Sequence, residues 1–139
     1  MDDLGEISRK TVKELRPGSY VLIDEEPCKV VETEFSSPGK HGAAKVRITG
    51  VGIFDNQKRT LLEPSDADVE VPEIKKKRAQ VVAVASGSVQ LMDLETYEIY
   101  EANTGQDTAL LSNIKPGQEV EVLESMGKRI ITRIIGGEK

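Results

Sequence analysis

Residues 28–53, CKVVETEFSSPGKHGAAKVRITGVGI, decide the fold of the first half of the chain. Polar and apolar residues alternate before and after the centre of this stretch, which is typical of strands that bury one face. The centre, residues 36–43, holds one proline and two glycines, which end strands and permit turns. The stretch therefore predicts a β-hairpin with strands at residues 28–35 and 44–53, and Lys40 at its exposed tip.

The remainder of the first half repeats this pattern in shorter runs rich in Val, Ile, Leu and Thr. The pairs Pro17-Gly18 and Glu26-Pro27 separate them as turn signals. Together with the hairpin, they give five or six short strands, which predicts a small SH3-like barrel over residues 1–72. The further strands are expected at residues 11–15, 20–23, 59–62 and 69–71.

The second half, residues 73–139, predicts another barrel. A helical segment at residues 106–114 falls between the third and fourth of five strand-like runs. Three strands, one short helix and two strands is the order of an OB-fold. The fold class is thus all-β, with two small barrels. The five strands are expected at residues 80–85, 88–94, 97–100, 118–123 and 129–135.

A basic run, Lys-Lys-Lys-Arg at residues 75–78, follows the expected boundary near Pro72. Lysines of this kind occur in solvated linkers and guard the exposed edges of sheets. They also bind RNA phosphates. The sequence leaves these readings open.

Charge is distributed unevenly along the 139 residues. The formal net charge is −5, but residues 36–60 carry +4 and residues 61–73 carry −5. A local basic segment of this kind can contact phosphate although the whole chain is acidic. The aromatic content of 4% disfavours extended base stacking on single-stranded nucleic acid.

Several classes of protein are disfavoured by the composition. A single cysteine, Cys28, excludes an internal disulfide and a multi-cysteine zinc site, and its strand-like surroundings predict burial. The first residues do not resemble a signal peptide, and no apolar run approaches the ~20 residues that span a membrane. We expect a soluble, cytoplasmic protein with no membrane partner and no bound metal.

Catalysis at the hairpin tip is also disfavoured. A nucleophilic lysine needs a desolvated pocket or a neighbouring cation to lower its pKa, and an exposed tip offers neither. His41, the single histidine, has no carboxylate nearby in sequence to orient it. The chain is therefore expected not to be an enzyme. An accessible Lys40 can, however, enter the active site of another enzyme.

Residues 38–46, PGKHGAAKV, followed by residues 50–54, closely resemble the modification loop of the hypusine-containing translation factors, the five-A family. The resemblance covers nearly the whole chain. A third barrel, as in the related bacterial elongation factor P, is not expected. Ala43 stands where eukaryotic members usually have a second histidine, which indicates an archaeal-type member.

The resemblance implies that deoxyhypusine synthase transfers an aminobutyl group from spermidine to Lys40, with no other cofactor and no small-molecule substrate. It further implies binding to ribosomal RNA and peptidyl-tRNA on the ribosome, where hypusine or deoxyhypusine would promote peptide-bond formation at stalling sequences such as proline runs. The modification loop would comprise Ser37, Pro38, Gly39, His41 and Gly42. The residues around the base of the loop that would contact RNA are Lys45, Arg47 and Lys58.

Two other functions remain open on the sequence. The first is a general RNA-binding or ribosomal protein in which Lys40 is an unmodified phosphate contact. The second is a lysine-dependent enzyme that uses Lys40 and His41. The mass of Lys40 in native protein distinguishes the first from a modified translation factor.

Overall fold

The computed structural model describes residues 7–37 and 44–137. Within them the chain forms eleven β-strands and one short α-helix, which confirms the all-β class. The chain divides into two compact units, Met1–Glu73 and Ile74–Lys139. No helix in the described part of the chain is long and apolar enough to cross a membrane.

The first unit is an SH3-like barrel made of a four-stranded sheet and a two-stranded sheet. The larger sheet has the order β2-β3-β4-β5, and β1 pairs with β6 in the smaller one. All pairings are antiparallel. The strands are β1 (Ile7–Thr11), β2 (Tyr20–Ile23), β3 (Glu26–Ser36), β4 (Lys45–Gly52), β5 (Lys58–Pro64) and β6 (Asp68–Pro72).

The strand predicted at residues 11–15 was wrong. Strand β1 ends at Thr11, and Val12–Glu14 form a single 3-10 turn. The side chains of Val12 and Leu15 are both buried, at 0% and 1% exposure. A 3-10 turn has three residues per turn and brings positions i and i+3 to the same side, whereas a strand would point them to opposite faces. Burial of both residues therefore requires the turn.

The second unit is an OB-fold. Its five strands form one sheet in the order β11-β10-β7-β8-β9. The N–H of Ile131 in β11 donates to the C=O of Asn103, just after β9, at 2.9 Å, which closes the sheet into a barrel. The elements are β7 (Lys75–Ala85), β8 (Ser88–Asp93), β9 (Ile99–Ala102), α1 (Thr108–Asn113), β10 (Gln118–Ser125) and β11 (Lys128–Gly137).

Each unit has its own aliphatic core, as the low aromatic content requires. The first core includes Cys28, which is fully buried as predicted, and burial raises the pKa of its thiol. The core residues of the first unit are Val12, Leu15, Val21, Ile23, Cys28, Val30, Val46, Ile48 and Val69. Those of the second unit are Ala79, Val81, Val89, Leu91, Ala102, Ile114, Val120, Val122 and Ile131.

Candidate functional site

The hairpin of β3 and β4 carries the predicted modification site between its strands. Their pairing runs from Cys28 opposite Gly52 to Ser36 opposite Lys45. The connection that follows Ser36 contains Lys40, so the strands on both sides of this lysine are placed by the ladder. Ser37 is exposed. The remaining predicted loop residues lie outside the described residues; they are Pro38, Gly39, Lys40, His41 and Gly42.

A β-bulge separates the barrel part of β3 from the part that leads to the loop. The register with β4 shifts between Val30 and Glu32, which leaves Val31 as an extra residue. Strand β2 pairs with β3 only as far as Lys29. Within the described ranges, residues 32–36 therefore pair with β4 alone, and residues 31–36 form one edge of the hairpin.

Strand β5 supports the other side of the hairpin up to the loop. Pro64 lies opposite Lys45, and the N–H of Ser65 donates to the C=O of Ala44 at 2.9 Å. The chain that leaves the loop is thus hydrogen-bonded to the residue that follows β5. The sequence alone did not indicate this support, because it depends on the register between β4 and β5.

Arg47, a predicted RNA contact, lies on an exposed face of the hairpin with an acidic partner. Its Nε is 3.7 Å from Oε1 of Glu34, the residue directly opposite in β3. Both side chains are more than half exposed, so the pair contributes at most about 1 kcal/mol to stability. Glu34 partly neutralises the charge of Arg47, which weakens the basic patch inferred from the sequence. Lys45 is also exposed and lies at the end of the ladder.

The predicted position of Lys58 at the base of the loop was wrong. Lys58 begins β5 opposite Val51, whereas Pro64, at the end of this strand, lies beside Lys45. At roughly 3.3 Å per residue, Lys58 is about 20 Å along the strand from the loop end. Lys58 was expected near the loop because the direction of β5 is not evident from the sequence. The strand runs toward the loop, so its first residue lies farthest from it. Binding of Lys58 to RNA remains a prediction.

The turn between β4 and β5 is closed by an ion pair that uses another of the basic residues. Arg59 donates to Asp55 through Nη1 at 3.1 Å and through Nη2 at 2.9 Å. The hydrogen bonds from Arg59 hold the pKa of the Asp55 carboxyl below its usual range. They also raise the pKa of Arg59. Arg59 therefore has a structural role, and its charge is balanced locally.

The basic run at residues 75–78 is not a linker, because it lies in β7 and pairs with β10. Since the register of β7 with β8 begins only at Ala79, the run lies at a sheet edge over residues 75–77 among the described strands, as expected of an edge guard. It lines a cleft of about 560 Å³ together with acidic side chains. Nζ of Lys77 is 3.2 Å from Oδ2 of Asp93, and Arg78 pairs with Glu119. Half of the run is thereby balanced by carboxylates, which reduces its ability to attract RNA.

Asp93 links this cleft to the stability of the OB-fold. Its side chain is 5% exposed, and its Oδ1 accepts from the N–H groups of Glu95 and Thr96 at 2.7 and 3.0 Å. Burial by itself would raise the pKa of this carboxyl. The hydrogen bonds from these N–H groups and from Lys77 outweigh burial and hold the pKa below its usual range.

Because the pKa of Asp93 is lower in the folded than in the unfolded protein, its stabilisation is present at neutral pH and is lost on acidification. The loss is expected to begin below about pH 5 and to continue as the pH falls through the folded pKa. Asp93→Asn keeps an acceptor for the two N–H groups but loses the charge, and should cost about 1–2 kcal/mol at pH 7.

Urea unfolding between pH 3 and 7 checks this expectation. The variant should show a flatter dependence of unfolding free energy on pH than the wild type. Equal slopes would mean that Asp93 does not contribute to acid sensitivity.

Among the described residues, no group of three or more His, Cys, Asp or Glu side chains is arranged so that it could hold a metal ion. The hairpin is the candidate site because Lys40 lies in the connection between two strands whose ends are fixed by pairing.

Known proteins similar to this chain match it over nearly its whole length. The family model described as "Translation initiation factor 5A-like, N-terminal" matches residues 8–67. Translation initiation factor 5A of Korarchaeum cryptofilum is 53% identical over 94% of this chain and 98% of its own length. That of Pyrococcus furiosus is 46% identical over 98% of this chain and 100% of its own.

Solved structures agree with the sequence relatives. Eukaryotic translation initiation factor 5A from Methanococcus jannaschii has a TM-score of 0.85 and 39% identity, over 97% of this chain and 99% of that chain. A translation initiation factor eif-5a family protein from Naegleria fowleri has a TM-score of 0.76 and 29% identity, over 92% of this chain and 97% of that chain.

A two-barrel fold with these relatives indicates a translation factor, and their family is not a family of enzymes. The chain belongs to the translation initiation factor 5A family and is of the archaeal type, as its sequence indicated.

Proposed function

We propose that this cytoplasmic factor binds the ribosome and promotes peptide-bond formation at stalling sequences such as proline runs, through hypusine or deoxyhypusine on Lys40. The main support is the position of Lys40 in the connection between β3 and β4, in a chain that belongs to the translation initiation factor 5A family. The strands on both sides of the loop are paired up to its ends, so they can present this one side chain to another molecule.

The modification we propose is a transfer of an aminobutyl group by deoxyhypusine synthase. A bond forms between Nζ of Lys40 and the terminal carbon of the aminobutyl group. The carbon–nitrogen bond of spermidine breaks, and the remaining diamine leaves with the proton that Nζ of Lys40 loses. No net oxidation occurs. The product keeps the amine of Lys40 and gains a second one, so the side chain becomes longer and more cationic.

A long cationic side chain suits the positioning of RNA at a reaction centre. It can pass between phosphates and bases where a protein domain does not fit. The factor itself would supply no reacting group, because the ribosome forms the peptide bond, and correct placement of reactants alone accounts for large rate effects. The exposed Lys45 and Arg47 would contact the RNA backbone beside the loop and set its position rather than read its sequence.

Peptide mass spectrometry of protein purified from its native source tests the modification. The aminobutyl addition is expected on Lys40. Lys45, which lies on β4 beside Ser36, is expected to be unmodified. A native protein with no addition would favour a general RNA-binding function. An addition on Lys45 in place of Lys40 would contradict the assignment of the loop.

A further inference from the structure

We propose that the free edge of β3, residues 31–36, binds an extended basic segment of the enzyme that modifies Lys40, by addition of a strand. This inference rests on the proposed modification and identifies where the enzyme would hold its substrate. It follows from the direction of backbone groups beside the loop, the absence of a covering strand among the described residues, and the charges along the edge.

The hydrogen bonds of Val30 show which backbone groups of β3 face away from β4. Its N–H donates to the C=O of Ser19 at 2.8 Å, and its C=O accepts from the N–H of Gly18 at 2.8 Å. Val30 therefore does not exchange hydrogen bonds with Gly50, which lies opposite in β4. In an antiparallel ladder, bonded and non-bonded pairs alternate. The backbone of Gly50 accordingly faces β5, and the next residue of β4 faces β3.

The same alternation continues to the end of β4, since the extra residue of the bulge is in β3. The hydrogen bond between Ala44 and Ser65 supports this assignment, because Ala44 is an even number of residues from Gly50 and also bonds on the β5 side. The β4 residues opposite Thr33 and Phe35 likewise face β5. Consequently, the N–H and C=O groups of Thr33 and Phe35 point outward from the hairpin.

No strand in residues 7–37 or 44–137 pairs with this edge beyond the bulge. Exposed edges of this kind accept an added strand, because they offer unpaired N–H and C=O groups. The other edge of the sheet that contains the hairpin is β5. This edge differs near the loop, because β5 ends in Pro64, which has no N–H. Of these two edges, only that of β3 offers backbone donors right up to the loop.

The side chains along the edge indicate the chemistry of the partner. Residues 31–36 contain Glu32 and Glu34 and no basic residue. Glu34 is shared with Arg47 across the hairpin, so Glu32 carries most of the negative charge of this edge. Val31 and Phe35 are large apolar residues with 50% and 54% exposure. An extended peptide segment with basic and apolar side chains complements this edge. RNA does not, because it has no peptide groups with which to continue the sheet, and the carboxylate of Glu32 repels phosphate.

Strand addition would also select the lysine to be modified. Backbone pairing fixes register, and a shifted strand can regain an equivalent ladder only in steps of two residues, or about 7 Å. An enzyme segment paired with Thr33 and Phe35 would hold the chain a fixed number of residues before Lys40. Lys45 lies beyond the loop in β4, so the same register would keep it outside the active site.

Thr33→Pro tests the edge, with Leu62→Pro as the matched control. Proline at residue 33 removes an outward N–H without breaking a bond to β4. Leu62 lies opposite Arg47, whose backbone faces β3, so the N–H of Leu62 points outward from the opposite edge. Each variant is mixed with an archaeal deoxyhypusine synthase and spermidine, and initial rates are followed by intact mass.

The KM of Thr33→Pro is expected to rise about tenfold with kcat nearly unchanged, since the substitution removes a hydrogen bond and obstructs the added strand. Leu62→Pro is expected to stay within about twofold of the wild type. Equal KM values for the two variants would overturn the proposal. Failure of the synthase to modify wild-type protein would instead refute the proposed modification itself.

Amide hydrogen exchange in wild-type protein tests strand addition at β3 even if a proline variant does not fold. Binding of the synthase should slow exchange at Thr33 and Phe35 but not at Leu62. No added protection at Thr33 and Phe35 would contradict strand addition. Protection that appears in the factor alone at high concentration would assign the edge to a second copy of the chain. Protection by ribosomal RNA in place of the synthase would also overturn the proposal.

Discussion

Lys40→Arg is expected to abolish the stimulation of peptide-bond formation at proline runs, with a fall of about 100-fold or more in the stimulated rate. The guanidinium of arginine keeps the positive charge but offers no amine that can accept the aminobutyl group. The modified side chain would no longer reach the reaction centre, and misplacement by about 1 Å already costs about two orders of magnitude in positioned reactions. Stability should change little, because the described pairing and both cores lie outside residues 38–43.

The measurement is the rate of synthesis through a proline run on reconstituted ribosomes, with factor that has been treated with deoxyhypusine synthase. Lys10→Arg, an exposed change in β1, serves as the control and should retain full stimulation. If Lys40→Arg stimulated as well as the modified wild type, Lys40 would not be the working group. Urea unfolding of both variants shows whether any loss of function comes from the fold.

Gly52→Ala is expected to lower the free energy of unfolding by about 1–3 kcal/mol, as is typical of overpacking in a closely packed site. A Cβ at residue 52 would lie 2.0 Å from Oδ1 of Asp55 and 2.9 Å from Nη1 of Arg59. Asp55 has little freedom to move, because it also accepts from the N–H of Gln57 at 3.0 Å. The added methyl group would therefore displace the ion pair that closes the turn between β4 and β5.

Gly136→Ala is the matched control for this substitution. Gly136 also lies in a strand, but a Cβ there would meet no atom within 4 Å. Its unfolding free energy should remain within about 0.5 kcal/mol of the wild type, as for most surface substitutions. Urea titrations of the two variants give the comparison. A Gly52→Ala protein as stable as Gly136→Ala would show that Asp55 and Arg59 are not needed to close the turn.

The all-β class, the two barrels and most strands could be predicted from the sequence because alternation and turn residues are local signals. Tyr20–Ile23 has the predicted bounds, and the order of three strands, helix and two strands in the second half is confirmed. The hairpin around Lys40 was also read from local alternation, and its strands β3 and β4 are confirmed on either side of the loop.

The remaining features depend on contacts between residues that are distant in sequence. The 3-10 turn after Thr11 is required by the burial of Val12 and Leu15 together, which only the folded barrel reveals. The charge balance of the basic run in β7 could not be predicted, because its acidic partners come from β8 and β10. Likewise, the pairing of Arg47 with Glu34 requires the register across the hairpin.

The ladder between β3 and β4 ends at Ser36 and Lys45, and Ala44 is hydrogen-bonded to Ser65. Residues on the two sides of this point are therefore under different evolutionary constraints. Substitutions in the barrel strands are judged first by whether the first unit still folds. Residues 38–43 contribute to none of the described pairing, so substitutions there would be selected through the modifying enzyme and the ribosome that we propose as partners. Under that proposal, this segment can change together with its partners while the strands that carry it stay the same.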